Sequence, residues 1–215
     1  MTYTLHLHPL SSYCQKALVA LYELELPFTK NVVDLSDAEQ RAALVALWPI
    51  GKFPVLRDEA RGVTVAESTT VIEYLNRYAT APRLIPIDPD AAREVRFRDR
   101  FFDLYVNTPM GKIVTDNLRP QGKRDPHGVG EADAYLATAY QVVNGWVESS
   151  TWAAGESFSM ADCAAAPSLF YANQIKPFGA SHPHLAAYYA RLEQRPSFKR
   201  VLAEAEPYLK NFPGR

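Results

Sequence analysis

The hydrophobic period changes along this chain, and that change limits its possible folds more than any other feature. Within the first 80 residues, segments with the two-residue alternation of strands are interleaved with segments of helical period. Beyond a proline-containing stretch at residues 80–90, only the helical period remains. The sequence therefore predicts an α/β first half in the order β-α-β-α-β-β-α and an all-helical second half.

Four segments carry the strand pattern. Residues 3–8 alternate between apolar and polar side chains, and LPFTKNVVDL predicts a second strand. Because a helical stretch joins these two strands, we expect them to be parallel. GKFPVLRD and VTVAE, separated by EARG, predict an antiparallel hairpin. The predicted sheet is thus four-stranded and mixed.

Serine residues mark several predicted helix starts. Ser36 has capping-box spacing to Glu39, which predicts a helix that Ser36 caps and that runs to about residue 47. Ser68 is the predicted N-cap of a third helix, and Ser159 has capping-box spacing to Asp162. In the second half, the helical period covers residues 88–118, 131–149, 159–173, 184–194 and 196–205, with a Pro/Gly loop at 119–130.

The proline-containing stretch also suggests how the chain divides. Residues 80–90 carry three prolines and no period, which is typical of a linker. We predict a first domain over residues 1–80, a linker over 81–87 and a helical domain over 88–215. Four arginines between residues 93 and 100 interleave with acidic residues, which predicts a solvated or subunit-contacting face.

Composition excludes several classes of protein. The formal net charge of −1 gives no overall attraction to nucleic acid or to an anionic membrane, and no apolar run approaches the roughly 20 residues of a membrane span. Two cysteines are too few for a disulfide framework, and MTYTLHLHPL lacks the features of a secretory signal, so we expect a cytoplasmic protein with reduced thiols. His6 and His8 share a strand face without a third ligand nearby, so we assign no metal site.

The segment LSSYCQKA places Ser-x-x-Cys where redox proteins of the thioredoxin type place Cys-x-x-Cys. A strand that runs into a helix exposes free N–H groups, which stabilise an anion. Ser11 will not ionise there, but its hydroxyl can donate a hydrogen bond to a thiolate that arrives on a ligand. Alternatively, Ser11 or Ser12 only caps the helix. Cys14 falls on the apolar stripe, which favours a buried packing residue over a nucleophile.

Two further segments could bind parts of a peptide-like ligand. A cis bond at Phe53-Pro54 would leave the backbone groups of Phe53 free to pair with such a ligand. Alternatively, Pro54 only begins an edge strand, and Phe53 has no role in ligand binding. At Glu67-Ser68, a helix N-terminus could hold a carboxylate and the Glu67 side chain an ammonium group. Together these groups suit the head of an α-amino acid, although simple helix capping explains the same residues.

Taken together, LSSYCQKALVALYE, GKFPVL and AESTTVIEYL, followed by a linker and a helical half, resemble the cytosolic glutathione transferases. FSMADCAAAPSLF adds to this, because its Ser159-x-x-Asp162 box, with Phe158 as a staple, is similar to the N-capping motif of the family's central helix. The resemblance covers nearly the whole chain in the right order. It implies a thioredoxin-like domain that binds glutathione as co-substrate, a helical domain that lines an electrophile pocket, and a homodimer.

The resemblance also implies residue roles. Ser11 matches the serine that hydrogen-bonds the glutathione thiolate in serine-type classes, with Ser12 as the alternative. Phe53 would pair through its backbone with the cysteinyl amide, and Glu67 and its neighbour would hold the γ-glutamyl end. Lys52 could meet the glycyl carboxylate or could be a solvated turn lysine. The implied glutathione contacts are Lys52, Phe53, Pro54, Glu67 and Ser68. The candidate electrophile-pocket residues are Tyr13, Phe102, Tyr105 and Val106, and for the last three ordinary helical core is the alternative.

The implied reaction is conjugation of the glutathione thiolate to an electrophilic small molecule, as in detoxification. Two other functions fit the same fold. A glutathione-dependent thiol-disulfide or peroxide reductase would need an exposed and reactive Cys14. A non-catalytic assembly module would need none of the glutathione contacts, so their presence argues against it.

Overall fold

The computed structural model describes residues 3–79 and 83–213. A four-stranded mixed sheet with helices forms the first half, and the second half is helical. The strands are β1 (Tyr3–Leu7), β2 (Phe28–Val32), β3 (Val55–Asp58) and β4 (Val63–Ala66). The helices between and after them are α1 (Ser12–Glu23), α2 (Ala38–Leu47) and α3 (Ser68–Asn76). The predicted α/β order is confirmed.

The strand order is β2-β1-β3-β4. β1 pairs with β2 in parallel, as the intervening helix predicts, and both β1/β3 and β3/β4 are antiparallel. The alternation in β1 turns Tyr3, Leu5 and Leu7 into the core, where at most 1% of each residue is exposed. This face packs with the apolar stripes of α1 and α3 in the main hydrophobic cluster.

A smaller apolar cluster joins α2 to the sheet through Val33, Leu44 and Val55. The predicted start of α2 is wrong by one residue. Asp37 is the N-cap, and its carboxylate accepts hydrogen bonds from the backbone N–H groups of Glu39 and Gln40. Ser36 precedes this cap, and its hydroxyl donates a hydrogen bond to the Asp34 carboxylate.

The second half begins with α4 (Pro89–Phe101) and α5 (Thr108–Asp116), which a π-helical segment at Phe102–Asn107 separates. The predicted helical character of residues 88–118 is confirmed over Pro89–Asp116, and the π-helical segment within it is a feature that the sequence did not indicate. The predicted loop at 119–130 is too long, because Asp125 caps a helix that begins at Pro126, and proline is favoured at that first position. The later helices are α6 (Pro126–Trp146), α7 (Met160–Ile175), α8 (Pro183–Gln194) and α9 (Pro196–Ala205).

The core of the second half surrounds α7, which is buried along most of its length. α7 also contacts α1, so one hydrophobic cluster runs through both halves. The predicted linker at 81–87 starts outside the described residues, and the predicted domain boundaries stay predictions. No helix in the described ranges is long and apolar enough to cross a membrane.

Candidate active site

The sheet register brings three loop segments to one end of the sheet. His6 of β1 pairs with Val55 of β3, so the antiparallel register continues to place His8 beside Phe53. The two rings stack with their centroids 6.0 Å apart. Val55 pairs in turn with Ala66, which places the residues that follow β4 beside Pro54. The β1–α1 turn, the residues before β3 and the start of α3 therefore converge.

Ser11 is the N-cap of α1. Its backbone is extended, and its hydroxyl oxygen accepts a hydrogen bond from the backbone N–H of Cys14 at 3.3 Å. A hydroxyl that accepts still has its own proton to donate. Ser12 is the first residue inside α1, both serines are half-buried, and the neighbouring Tyr13 is exposed.

Cys14 lies one turn inside α1 and is fully buried. Burial raises the pKa of its thiol to about 12, even though Ser11 and the backbone around His8 favour the thiolate. A thiol with this pKa is not a nucleophile at neutral pH. The expectation that Cys14 serves packing is confirmed.

The Phe53–Pro54 peptide bond is cis, as the sequence suggested. Pro54 is buried, Phe53 is half-buried and Lys52 is exposed. Phe53 precedes β3, so its backbone lies at the end of the sheet rather than within the paired part of the strand.

Glu67, between β4 and α3, has a backbone conformation that non-glycine residues rarely adopt. Its φ is 68° and its ψ is 126°, and its exposed side chain makes no cap hydrogen bond. The predicted N-cap assignment is therefore wrong by one residue: Glu67 is the N-cap, and the buried Ser68 is the first residue of α3. Such conformations are retained mostly at functional sites, because the surrounding fold must hold them in place.

A buried ion network lies behind these segments. The Lys16 ammonium of α1 is 2.7 Å from the Asp99 carboxylate and 2.8 Å from that of Asp103, and it donates to the Thr69 hydroxyl at 2.8 Å. Thr69 in turn donates to Asp99 at 2.7 Å. Because Thr69 follows Ser68, the network joins α1 to the start of α3 and joins both helices to the second half.

The sequence did not predict this network. Asp99 and Asp103 belong to the charged run for which the sequence predicts a solvated or subunit-contacting face, but they are buried, with 0% and 4% exposed. Burial raises the pKa of Asp99, and the Lys16 charge opposes that rise. The helical period of α4 could have indicated the inward direction of Asp99, because Val95 lies one turn before it and is also buried.

The four candidate pocket residues separate into two groups. Phe102 and Val106 are fully buried, which favours ordinary helical core over a place in the electrophile pocket. Tyr105 is half-exposed and lines a cavity of about 500 Å³ between α5 and α6. Tyr13 is exposed beside Ser11. The described residues contain no His, Cys, Asp or Glu cluster suited to a metal ion.

Comparisons with known proteins agree with this architecture. The family described as "Glutathione S-transferase, N-terminal domain" matches residues 10–77, and "Glutathione S-transferase, C-terminal domain" matches residues 107–196. FtsZ-localized protein A of Caulobacter vibrioides is 28% identical, over 96% of this chain and 93% of that protein. Glutathione S-transferase hmp2 of Hypomyces subiculosus is 27% identical, over 88% of this chain and 93% of that protein.

A solved structure is similar over almost the full length. The glutathione S-transferase of Methylobacillus flagellatus, crystallised with glutathione bound, has a TM-score of 0.86 to this chain at 27% identity. The match covers 93% of this chain and 98% of that one.

Proposed function

Since the chain belongs to the glutathione S-transferase family, we propose that it conjugates the thiolate of glutathione to an electrophilic small molecule. One observation carries the proposal. The half-buried Ser11 hydroxyl accepts the Cys14 N–H at the start of α1 and keeps its own proton, which it can donate to a sulfur. Cys14 itself is buried, so the reacting sulfur comes from the ligand.

Two effects lower the thiol pKa of the bound glutathione. The Ser11 hydroxyl donates a hydrogen bond to the thiolate, and the unpaired N–H groups at the start of α1 add the positive end of the helix dipole. Both act on the charged form and hold it in place. The thiolate then attacks the electrophilic carbon, and positioning lowers the entropic part of the barrier.

The other predicted contacts position the tripeptide. The backbone of Phe53 pairs with the cysteinyl amide, next to the cis bond to Pro54. The exposed Glu67 carboxylate holds the α-ammonium group of the γ-glutamyl end, and the start of α3 at Ser68 holds its carboxylate. The exposed Lys52 side chain meets the glycyl carboxylate. We extend the proposal to a homodimer in the cytoplasm, on the resemblance to the family.

One relative favours a second function. The protein from Caulobacter vibrioides is named for its localisation with FtsZ, and it aligns over nearly the whole of this chain. A chain of this fold could therefore act as an assembly module without catalysis. A reductase is disfavoured, because it would need a reactive thiol and Cys14 is buried.

Calorimetry with glutathione and a conjugation assay with 1-chloro-2,4-dinitrobenzene separate these functions. We expect binding and turnover in the wild type, a fall of about 100-fold in turnover for Ser11→Ala, and little change in glutathione affinity. Ser12→Ala is the matched control and should keep its activity. Absence of both binding and turnover in the wild type would favour the assembly module, and an active Ser11→Ala variant would contradict the role of Ser11.

A further inference from the structure

His8 is a polar group at the proposed site that the roles above leave unused. It lies at the end of β1, three residues before Ser11, and its carbonyl accepts the Ser11 N–H at 3.0 Å. The imidazole and the Ser11 hydroxyl therefore belong to the same turn. Stacking of the imidazole on Phe53 places it beside the predicted contact for the cysteinyl part of glutathione.

The ring also contacts the second half of the molecule. The Tyr208 ring meets it edge-on at 5.4 Å, from a 3₁₀ helix at Glu206–Asn211 that follows α9. His8 is thus held between an aromatic ring of the sheet domain and one from the end of the chain. The half-buried imidazole thus contacts residues of both halves of the molecule.

A hydrogen bond fixes the tautomer of this imidazole. Nδ1 of His8 lies 3.2 Å from the backbone nitrogen of Leu10, whose N–H can only donate. Nδ1 is therefore the acceptor, and in the neutral ring the proton must be on Nε2. For Nε2 itself, residues 3–79 and 83–213 provide no hydrogen-bond partner.

The imidazole stays neutral near pH 7. Burial lowers the pKa of His8, and the nearby Asp34 carboxylate only partly opposes this shift. A neutral imidazole with Nδ1 occupied is a donor at Nε2 and does not give its proton away readily. It can therefore stabilise an oxygen that gains negative charge.

We propose that the Nε2–H of His8 donates a hydrogen bond to the carbonyl oxygen of α,β-unsaturated aldehydes and ketones, and that these are the preferred electrophiles. The inference rests on the proposed function. The thiolate sulfur forms a bond to the β-carbon, the C=C electron pair moves to form the enolate C=C bond, and the carbonyl pair moves onto oxygen. His8 holds that enolate oxygen, and a proton from water adds to the α-carbon to complete the adduct.

The test compares two electrophiles in the full-length protein. Addition to hex-2-enal creates an enolate oxygen, whereas displacement of chloride from benzyl chloride creates no oxyanion. His8→Phe keeps a ring for the aromatic contacts but removes the donor, and we expect kcat/KM for hex-2-enal to fall by about 10- to 100-fold. The value for benzyl chloride should change by less than about two-fold.

Two further variants complete the experiment. His6→Phe makes the same change on the same strand face, where the His6 ring is hydrogen-bonded to Asn31, and it should leave both rates unchanged. His8→Gln retains an N–H donor and should recover part of the hex-2-enal rate. Circular dichroism and glutathione calorimetry establish that each variant is folded and binds the co-substrate.

Each remaining outcome contradicts the inference. Equal losses with both electrophiles would assign His8 to packing, and no loss with either would remove it from the site. If the wild type binds no glutathione and turns over neither electrophile, the proposed function itself fails. If the wild type turns over both electrophiles and His8→Phe does so equally well, only the inference about His8 fails.

Discussion

The helices α1 and α7 both have a serine as N-cap, Ser11 and Ser159, but the two starts differ in how completely their polar groups are satisfied. At α7, each carboxylate oxygen of Asp162 accepts two hydrogen bonds: Oδ1 from the Ala153 N–H and the Tyr188 hydroxyl, and Oδ2 from the N–H and hydroxyl of Ser159. This start is buried. At α1, the cap hydrogen bond runs from the Cys14 N–H to the half-buried Ser11 hydroxyl at 3.3 Å.

The difference separates a structural helix start from one that can receive a ligand. The closed start of α7 has its donors and acceptors paired within the fold, so its contribution is to stability. The open starts of α1 and α3 keep donors available, and α3 does so with Glu67 in an unfavourable backbone conformation. The same local motif thus serves two purposes, according to whether its partners are protein groups.

The largest expected effect concerns the closed start. Asp162→Ala would leave the buried N–H groups of Ala153 and Ser159 and the Tyr188 hydroxyl without an acceptor, so the free energy of unfolding should fall by about 3 to 5 kcal/mol. Chemical denaturation measures this. Asp37→Ala, at the exposed start of α2, should lower the free energy of unfolding far less. An equal decrease in the two variants would contradict the distinction between buried and exposed caps.

A smaller effect tests the open start of α3. Glu67→Gly places glycine where φ is 68°, so the fold should gain about 1 kcal/mol while glutathione affinity falls by about 10-fold or more. Glu25→Gly is the matched control, because Glu25 also has a positive φ, 51°, but lies after the end of α1. It should gain similar stability with unchanged affinity. A loss of affinity in both variants would contradict a specific role for Glu67.

The smallest effect is a difference in pH dependence between two helix caps. Burial raises the pKa of Asp162, whereas hydrogen bonds from Gln40, together with the N–H of Glu39, lower the pKa of Asp37. A carboxyl group whose pKa is raised by folding stabilises the fold at pH values below its unfolded-state pKa, and this stability is lost as the pH rises through its folded-state pKa. A carboxyl group whose pKa is lowered by folding stabilises the fold at pH values above its unfolded-state pKa, and this stability is lost as the pH falls through its folded-state pKa.

The stability difference between wild type and Asp162→Asn should therefore shrink as the pH rises from acid toward neutral. The difference between wild type and Asp37→Asn should grow over the same change. Thermal melts across this range measure both differences, and slopes of the same sign would contradict the assignment.

The sequence predicted the features that depend on local pattern. Alternation in β1 identified the buried face, and the helix between β1 and β2 required parallel pairing. The spacing of Ser159 and Asp162 identified the closed helix start. These features depend on neighbours in the sequence, so periodicity and capping chemistry were sufficient to predict them.

The features that the sequence missed depend on partners that are distant in the chain. Asp99 is buried because Lys16 of another helix neutralises it, and a charged run alone does not reveal such a partner. The positive φ of Glu67 is imposed by the surrounding fold, since the residue type itself disfavours that conformation. His8 gains its role only through the register that sets it beside Phe53.

The claim that the start of α1 is open to a thiolate is tested most directly by the thiol pKa of bound glutathione. Ultraviolet absorbance of the thiolate, followed against pH, measures it in the wild type, in Ser11→Ala and in Ser159→Ala. We predict a pKa well below the free-thiol value of about 8.5 in the wild type and in Ser159→Ala, with a return toward that value in Ser11→Ala. The same depressed pKa in all three proteins, or no depression in the wild type, would contradict the proposed role of Ser11.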